Sequence, residues 1–277
     1  MKVLQNKNIL ITGGASGIGK IMARMFLEKN STVIIWDLSQ QNIDETLREL
    51  SPLGDLTAYR VDVSSEDQVK ESALKVKKEK GTVDVLVNNA GIVVGKYFHE
   101  HSTTDISRTL DINTLAPMLV CNAFLPDMMQ QNAGHICNIA SSAGIVANPR
   151  MAVYAASKWA LIGWSDSLRI EMIKLKKKVA VTSILPYYIN TGMFDGVQSR
   201  IPILDPEKAA AAIVRAIQKD KKLLTLPGYI YRLTRISQAL LPISAFDWLI
   251  DKVFGIYSTM DHFTGRNKKI NHNERHC

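Results

Sequence analysis

A chain of 277 residues that is 46% hydrophobic suits one large domain or two small ones and can bury a substantial core. Its three cysteines, Cys121, Cys137 and Cys277, show no paired spacing. That spacing argues against a disulfide framework and a zinc site, and no metal site is predicted. The net charge of +8 comes largely from lysine clusters without interleaved aromatic residues, so no nucleic-acid partner is predicted.

The lysine clusters, at 75–80, 174–178 and 219–222, fall where helices are predicted to end. Cations there complement the helix dipole, which favours solvated helix ends, and attraction to an anionic membrane surface is the alternative. The sequence contains neither a signal-peptide apolar region nor a bilayer-length apolar stretch. These features predict a cytoplasmic protein and leave peripheral contact with a membrane surface open.

Short apolar runs alternate with helical patterns along the chain. The predicted strands are 8–12, 31–37, 56–63, 83–91, 134–142 and 179–186, with 223–226 as a candidate seventh strand at the sheet edge. The predicted helices are 18–30, 42–50, 65–80, 103–131, one that carries Tyr154, and 206–220. Near-continuous apolar strands, each followed by a helix, predict an α/β fold with a parallel sheet covered on both faces. No linker divides the chain, so one domain is expected.

The first predicted strand runs into a glycine-rich turn that opens a helix. Gly13, Gly17 and Gly19 follow the spacing GxxxGxG. Glycines at these positions permit a tight turn and let backbone amides approach a pyrophosphate at the helix N-terminus. A lone glycine-rich turn is weak evidence, but its place between a first strand and a first helix favours dinucleotide binding.

Asp37 ends the second predicted strand, twenty positions after Gly17. A carboxylate there can accept hydrogen bonds from both ribose hydroxyls of adenosine and repels a 2′-phosphate. No Arg or Lys occurs in the following residues, 38–42. These observations favour NAD over NADP, and the alternative is an aspartate that only caps the next turn.

Further candidate cofactor-binding residues lie at the ends of the third and fourth predicted strands. Asp62 and Val63 end the third strand, and the run NNAG at 88–91 ends the fourth. The ligand of an open α/β sheet lies along the carboxyl ends of its strands. We therefore expect these residues to line the adenine and ribose, although their types alone say little.

Tyr154 and Lys158 stand four residues apart in YAASK, downstream of Ser141. Positions i and i+4 share a helix face, so the ammonium can lie beside the phenol. A fixed cation favours the phenolate and is predicted to lower the tyrosine pKa toward neutrality, where a general base works best. The alternative is an ordinary amphipathic helix with a packed tyrosine and a surface lysine.

The ordered motifs together resemble the short-chain dehydrogenase/reductase family over about residues 5–220. The matching residues are TGGASGIG at 12–19, Asp62-Val63, NNAG at 88–91, Asn113, Ser141, YAASK at 154–158, and Pro186 followed by Thr191. The resemblance implies a Rossmann-type, doubly wound parallel sheet in a single domain, with a core at about 5–226. A C-terminal amphipathic helical segment at about 227–263 and a polar tail at 264–277 would follow.

The resemblance implies a catalytic tetrad of Asn113, Ser141, Tyr154 and Lys158. Tyr154 would transfer the proton of the substrate hydroxyl, and Ser141 would hydrogen-bond the substrate oxygen. Lys158 would lower the tyrosine pKa and contact the nicotinamide ribose, and Asn113 would bend its helix and hold a water linked to Lys158. The implied cofactor-binding residues are Gly13, Ser16, Gly17, Ile18, Gly19, Asp37, Leu38, Asp62, Val63, Asn89, Ala90, Gly91, Tyr154, Lys158, Pro186, Ile189 and Thr191.

One position departs from the family pattern. The family usually has glycine after the proline that ends the sixth strand, but Tyr187 follows Pro186 here. Glycine tolerates backbone angles that tyrosine resists. Either the loop has a different shape, or Tyr187 covers part of the nicotinamide pocket.

Three segments, VIIWDLS, LPYYINTGMF and FGIYSTMDHFTGR, are similar to the branch that holds retinol dehydrogenases and 17-beta-hydroxysteroid dehydrogenases. That similarity implies an NAD-dependent oxidoreductase acting on a lipophilic alcohol or carbonyl, such as a retinoid, a steroid or a long-chain alcohol. It also implies a homodimer or homotetramer. Relatives in this branch carry an N-terminal hydrophobic anchor, which we expect to be missing here because the chain begins almost at its first strand.

The segment 223–263 is rich in large apolar residues with basic residues spaced through it. Pro227 and Pro242 are predicted to divide it into short helices. This segment could pack in the core and in an oligomer contact. Alternatively, it could form an amphipathic surface that rests on a membrane, or the hydrophobic entrance to the substrate site. A non-catalytic NAD-binding or membrane-associated scaffold is the alternative function, against which the intact tetrad argues. His272 and His276 in the tail are interpreted as solvated residues.

Overall fold

A computed structural model describes residues 3–266, and within them seven parallel strands form one sheet in the order β3-β2-β1-β4-β5-β6-β7. The strands are β1 Asn8–Thr12, β2 Thr32–Asp37, β3 Leu56–Arg60, β4 Val85–Asn88, β5 Gly134–Ile139, β6 Val179–Pro186 and β7 Leu223–Leu226. The predicted α/β fold with a parallel sheet is therefore confirmed. The candidate strand at 223–226 is the edge strand β7, with Leu223 opposite Ser183 of β6.

Helices cover both faces of the sheet. They are α1 Gly17–Leu27, α2 Gln40–Leu50, α3 Glu66–Lys80, α4 Thr103–Leu110, α5 Ala116–Gln130, α6 Ala152–Lys174, α7 Pro206–Gln218, α8 Gly228–Leu240 and α9 Ile243–Trp248. Pro227 and Pro242 directly precede α8 and α9, as predicted. The lysine cluster at 75–80 occupies the last turns of α3, where cations stabilise the helix end.

The core forms because successive strand residues point to opposite faces. Ile9 and Ile11 of β1 pack with residues of α1, α2 and α7 on one face. Leu10, between them, packs with residues of α3, α5 and α6 on the other face. Because apolar side chains on both faces are buried, the strands read as near-continuous apolar runs.

Several predicted elements have different limits in the structure, and the predicted strands 83–91 and 134–142 are shortened to Val85–Asn88 and Gly134–Ile139. The third strand ends at Arg60 rather than at Val63, because the Asp62 carboxylate accepts hydrogen bonds from the backbone N–H and the hydroxyl of Ser64 and turns the chain. The predicted helix 103–131 is interrupted over Asp111–Leu115 by a π-helical turn between α4 and α5. Asn113 lies at the centre of that turn.

The sheet order places a crevice between the carboxyl ends of β1 and β4. The chain moves outward from β1 to β3 and then returns to β4 on the other side of β1, so the helices that follow these strands diverge. Among residues 3–266, no helix combines the length and apolar character needed to cross a bilayer. His272, His276 and Cys277 lie outside the described residues.

Candidate active site

The glycine turn is shaped by close backbone contacts at the end of β1. Gly13 and Gly17 have φ angles of +62° and +53°, which glycine adopts without strain. A Cβ on Gly19 would lie 2.2 Å from the Gly13 carbonyl oxygen, so no larger residue fits there. The Ser16 side chain does not cap α1, and the first turn of α1 contains no acidic residue. The first amides of α1 are therefore available to an anion.

The Asn89 side chain fixes this turn against β4. Its Nδ2 donates to the carbonyl oxygens of Thr12 and Gly13 at 3.0 and 2.9 Å. The Thr12 hydroxyl in turn accepts from the backbone N–H groups of Asn89 and Ala90 at 3.0 and 3.1 Å. These reciprocal bonds hold the ends of β1 and β4 together, so the shape of the crevice is determined by backbone groups.

Asp37 bridges the glycine turn and the start of α2. Its carboxylate accepts from the N–H of Ala15 at 3.0 Å and from the N–H of Ser39 at 3.1 Å. It thus caps the next turn, as the alternative interpretation proposed, and also lies beside the glycine turn. The fold brings a cation to this corner that the local sequence did not predict, because Arg60 Nε donates to the Leu38 carbonyl oxygen at 3.3 Å.

Ser141, Tyr154 and Lys158 come together where β5 ends beside α6. Tyr154 and Lys158 are buried in the first and second turns of α6, with 5% and 4% of their surface exposed. Ser141 follows β5 and hydrogen-bonds the Tyr154 phenol. Lys158 Nζ donates to the Ile139 carbonyl oxygen at 3.0 Å and lies 5.7 Å from the centroid of the Tyr154 ring.

Burial dominates the ionisation of this cluster. It raises the pKa of Tyr154 to about 12, and the hydrogen bond from Ser141 acts in the opposite direction. Burial also lowers the pKa of Lys158 to about 8. The sequence predicted that Lys158 would draw the tyrosine pKa toward neutrality, and this prediction is wrong in direction because burial removes the hydration that stabilises the phenolate.

Asn113 connects the bend between α4 and α5 to the loop after β4. Its side chain accepts from the N–H of Ile92 at 2.9 Å and donates to the Ile92 carbonyl oxygen at 2.9 Å. It also donates to the Ser157 hydroxyl at 3.1 Å. Ser157 directly precedes Lys158, so Asn113 fixes α6 next to the lysine.

A single cavity joins the glycine turn to the Ser141–Tyr154–Lys158 cluster. Its predicted lining residues are Gly13, Ser16, Gly17, Ile18, Asn89, Ala90, Gly91, Ser141, Tyr154, Lys158, Pro186, Ile189 and Thr191. Other predicted residues lie outside this lining, namely Gly19, Asp37, Leu38, Asp62, Val63 and Asn113. Of these, Gly19 and Asp37 contact the glycine turn directly, whereas Val63 packs in the core below β2 and β4.

The far end of the cavity is walled by apolar and aromatic side chains that sequence reasoning did not assign individually. They include Val146, Met151, Tyr187, Tyr188, Met193, Phe194, Ile201, Tyr229, Ile230, Leu233, Leu249, Ile250, Phe254 and Ile256. The Phe194 ring meets Tyr154 edge-on at 6.1 Å between centroids. Their enrichment in apolar residues was visible in the sequence, but their convergence on one cavity was not.

Tyr187, which replaces the usual glycine of the family, is accommodated without backbone strain. It does not have a positive φ, and its N–H donates to the Leu226 carbonyl oxygen at 2.8 Å. The side chain is buried, its ring packs on Tyr188 at 4.6 Å, and its hydroxyl bonds to Ser199 at 2.8 Å. Tyr187 therefore forms part of the cavity wall.

A glycine turn on the first strand and a buried serine–tyrosine–lysine cluster, joined by one cavity on a parallel sheet, define a class of nucleotide-dependent oxidoreductases. Residues 7–201 match the family model described as short chain dehydrogenase, and the chain belongs to this family. Members of the family use nicotinamide cofactors.

Curated relatives narrow the likeness to one branch. The chain is 35% identical to mouse (Mus musculus) epidermal retinol dehydrogenase 2, over 94% of this chain and 86% of the relative. It is 32% identical to rat (Rattus norvegicus) 17-beta-hydroxysteroid dehydrogenase 13, over 83% and 77% of the two chains. The predicted resemblance to the branch of retinol and 17-beta-hydroxysteroid dehydrogenases is confirmed.

A solved structure supports the fold. A short-chain dehydrogenase/reductase from Burkholderia phymatum, crystallised in complex with NAD, superposes with a TM-score of 0.80 and 24% identity. The superposition covers 86% of this chain and 95% of that protein. The predicted Rossmann-type fold is thereby confirmed.

Proposed function

We propose that this protein is an NAD-dependent oxidoreductase that interconverts a lipophilic alcohol and its carbonyl. One observation carries the proposal: Ser141, Tyr154 and Lys158 meet between the glycine turn and an apolar wall within one cavity. Such a cavity can hold a polar dinucleotide at one end and a hydrophobic substrate at the other. The reacting oxygen would lie beside Tyr154.

Tyr154 is the proposed proton-transfer group. Its phenol, with a pKa of about 12, is protonated near neutral pH and can donate to the oxygen of a carbonyl. In the direction of alcohol oxidation the phenolate must form first, and it would then take the hydroxyl proton. Ser141 hydrogen-bonds the same phenol and would stabilise the negative charge that develops on the substrate oxygen.

Lys158 and Asn113 are proposed to support this transfer. Lys158 is buried beside the phenol, and its ammonium form would favour the phenolate. Asn113 links the loop after β4 to Ser157, next to Lys158, and would keep the lysine in place. A scaffold protein would gain nothing from a buried lysine, because desolvation of the ammonium opposes folding.

The glycine turn fits a dinucleotide. The φ angles of Gly13 and Gly17 and the close contact at Gly19 leave backbone amides of α1 open to a pyrophosphate. Gly13, Ser16, Gly17, Ile18 and Thr191 would hold that group. When bound, the oxidised nicotinamide accepts the hydride released from the substrate carbon.

NAD is proposed over NADP because Asp37 places a carboxylate beside the glycine turn. Arg60 makes this proposal testable, because its guanidinium reaches the Leu38 carbonyl at the same corner. We expect Asp37→Asn to weaken NADH binding and to narrow the preference for NADH over NADPH. Adding Arg60→Ala should then remove most of the NADPH binding gained. Tighter binding of NADPH than of NADH by the unaltered protein would contradict the proposal.

The substrate is proposed to be a retinoid, a steroid or a long-chain alcohol. The far end of the cavity is lined mainly by apolar and aromatic side chains, and none of the cavity-lining residues within 3–266 is acidic. The curated relatives are named as retinol and hydroxysteroid dehydrogenases. Burial of apolar substrate surface would supply about 25 cal/mol per Å² toward binding.

Two exposed apolar faces support the proposed partners. Trp159, Ile170 and Ile173 of α6 are about half exposed, which suits packing against a second copy in a homodimer or homotetramer. Leu240, the last residue of α8, and Ile243, the first residue of α9, are more than three-quarters exposed, and α8 also carries the exposed residues Arg232 and Arg235. A face of this kind suits peripheral contact of a cytoplasmic protein with a membrane surface.

A substrate screen tests the function. Purified protein is incubated with NAD and with retinol, hydroxysteroids or long-chain alcohols, and NADH absorbance is followed. The proposal predicts turnover with at least one lipophilic class and little turnover with ethanol. Absence of NADH binding would contradict the oxidoreductase function, whereas turnover of ethanol alone would contradict the substrate class.

A further inference from the structure

The end of the described chain folds back over the active-site cavity as a C-terminal strap, defined as residues 254–266. The N–H groups of Thr264 and Gly265 donate to the Asp195 carbonyl oxygen at 2.9 and 3.2 Å. The Gln198 N–H donates to the Thr259 carbonyl oxygen at 3.1 Å. The strap is therefore joined by backbone bonds to the loop that follows Thr191.

Two glycines let the strap lie close to the loops beneath it. A Cβ on Gly196 would lie 2.0 Å from the His262 carbonyl oxygen, and a Cβ on Gly95 would lie 2.1 Å from Phe263 Cδ1. Arg150 adds bonds from its guanidinium to the carbonyl oxygens of Met260 and Asp261 at 3.1 and 2.9 Å. These contacts fix the path of the strap up to its last described residue, Arg266.

The Arg266 guanidinium lies over the N-terminus of α1. Its Nη1 is 3.4 Å from Ser16 Oγ. Its Nη2 is 3.8 Å from the position that a Cβ on Gly17 would take, and that position is 3.6 Å from Thr191 Cβ. Arg266 thus lies among the residues proposed to hold the pyrophosphate, although it is 250 positions from Ser16 in sequence.

The positive charge of Arg266 suggests what it could bind at this position. Lys158 and Arg266 are the cationic residues of the cavity lining within 3–266. The Lys158 ammonium already donates to Ile139 beside Tyr154. Ion pairs between arginines and carboxylates in the described chain involve Arg24 and Arg169 instead of Arg266. Arg266 is therefore a cation with open donors at the mouth of an anion-binding turn.

We propose that Arg266 binds the pyrophosphate of the dinucleotide, so that the strap closes over the cofactor. The guanidinium would add charge-assisted hydrogen bonds to those from the first amides of α1. Because the strap is also bonded to the loop after Thr191, the same segment contacts the cofactor and supports the substrate wall. This inference rests on the proposed dinucleotide binding.

The test compares NADH affinity among variants of the full chain, by calorimetry in the absence of substrate. Arg266→Ala is expected to bind NADH about tenfold to hundredfold more weakly, because a hydrogen bond to a charged group is lost. Arg266→Lys keeps the charge but not the planar donor pair, and it should lose only part of that affinity. Arg48→Ala, at an exposed position of α2 outside the cavity lining, removes the same charge, and this variant should bind NADH as the unaltered protein does.

Melting temperatures without nucleotide separate binding from folding. They should be the same for the unaltered protein and for all three variants. Arg266→Ala that binds NADH as tightly as Arg48→Ala would overturn the inference. So would a loss of affinity in Arg266→Ala that is matched by a lower melting temperature and shared equally by Arg266→Lys. If the unaltered protein itself fails to bind NADH, the proposed function is wrong instead.

Discussion

The two ends of the cavity are built by different means. The nucleotide end, at residues 12–19 and 88–91, is made of backbone groups and glycines held by Asn89 and Thr12. The substrate end, at residues 187–201 and 229–256, is made of packed side chains such as Tyr188 and Phe194, with rings 5.0 Å apart. The nucleotide end requires glycines, which lack a side chain, whereas the substrate end requires particular large side chains.

This difference explains how one family can share a cofactor and differ in substrate. A site made of backbone amides needs a fixed turn, so few substitutions preserve it. A wall made of side chains keeps its general character through many volume-conserving exchanges while its detailed shape changes. Mutations at the two ends should therefore affect different measured quantities.

The largest expected effect lies where the two ends meet, at Lys158→Met. Loss of the ammonium should lower kcat by about 10²- to 10⁴-fold, in the range of a lost acid–base group. The same change should raise the free energy of unfolding at pH 7 by about 2 kcal/mol. Burial lowers the Lys158 pKa from 10.5 to about 8, which means that the buried ammonium destabilises the folded protein by about 3 kcal/mol. Methionine removes this destabilisation, but loss of the hydrogen bond to Ile139 offsets about 1 kcal/mol of the gain.

The stability difference should also depend on pH. The unfolded chain keeps the Lys158 proton up to its ordinary pKa of 10.5, whereas the folded protein releases it near 8. The unfolded state therefore binds more protons in this window, and the stability of the unaltered protein rises with pH relative to Lys158→Met. Denaturant unfolding at several pH values measures this. Lys208→Met, at an exposed site, is the control, and equal destabilisation of both variants would contradict the argument.

The nucleotide end is tested by Gly19→Ala. The added Cβ would lie 2.2 Å from a backbone oxygen, so the turn must shift. We expect NADH affinity to fall about a hundredfold, the scale of effect that displacements of an ångström produce. Gly228→Ala is the matched control, because a Cβ there meets nothing within 4 Å. Equal NADH affinity of the two variants would show that the glycine turn is not the binding element.

The substrate end is tested by Phe194→Ala. The ring meets Tyr154 edge-on and lines the apolar wall. Its loss should raise KM for a lipophilic alcohol about tenfold, which corresponds to the burial of part of an aromatic side chain. NADH affinity should stay unchanged. Phe98→Ala, at a side chain that is 64% exposed, should alter neither quantity. If Phe194→Ala changed the NADH affinity and left KM unaltered, Phe194 would not belong to a separate substrate end of the cavity.

The smallest effect is expected at Tyr187→Phe. The hydroxyl bonds to Ser199 at 2.8 Å within the wall, so its removal should lower the free energy of unfolding by about 1 kcal/mol. NADH affinity should not change. Tyr229→Phe is the control, because that side chain is 57% exposed. Denaturant unfolding of both variants measures the difference, and equal stability would show that the Ser199 bond does not support the loop.

The nucleotide end could be predicted from sequence because its signals are local. The glycine turn occupies eight consecutive positions, and Tyr154 and Lys158 share one helix face. The parallel sheet and the helices on both of its faces follow from apolar runs that alternate with helical patterns. These predictions needed no knowledge of which distant residues meet.

The rest depends on contacts that no local pattern contains. The predicted direction of the Tyr154 pKa shift was wrong because the shift depends on burial, which the local sequence around Tyr154 does not reveal. Arg60 and Arg266 reach the nucleotide end from a neighbouring strand and from the far end of the described chain. The side chains of the substrate wall come from separate loops and helices without a common spacing.

The most direct test of the central claim is Tyr154→Phe, measured for both turnover and NADH affinity. The substitution removes only the hydroxyl that would transfer the proton and leaves the ring packed against Phe194. The proposed chemistry predicts that kcat falls by about 10²- to 10⁴-fold while NADH binds as tightly as before. Turnover of Tyr154→Phe at the unaltered rate would contradict the claim that Tyr154 is the proton-transfer group.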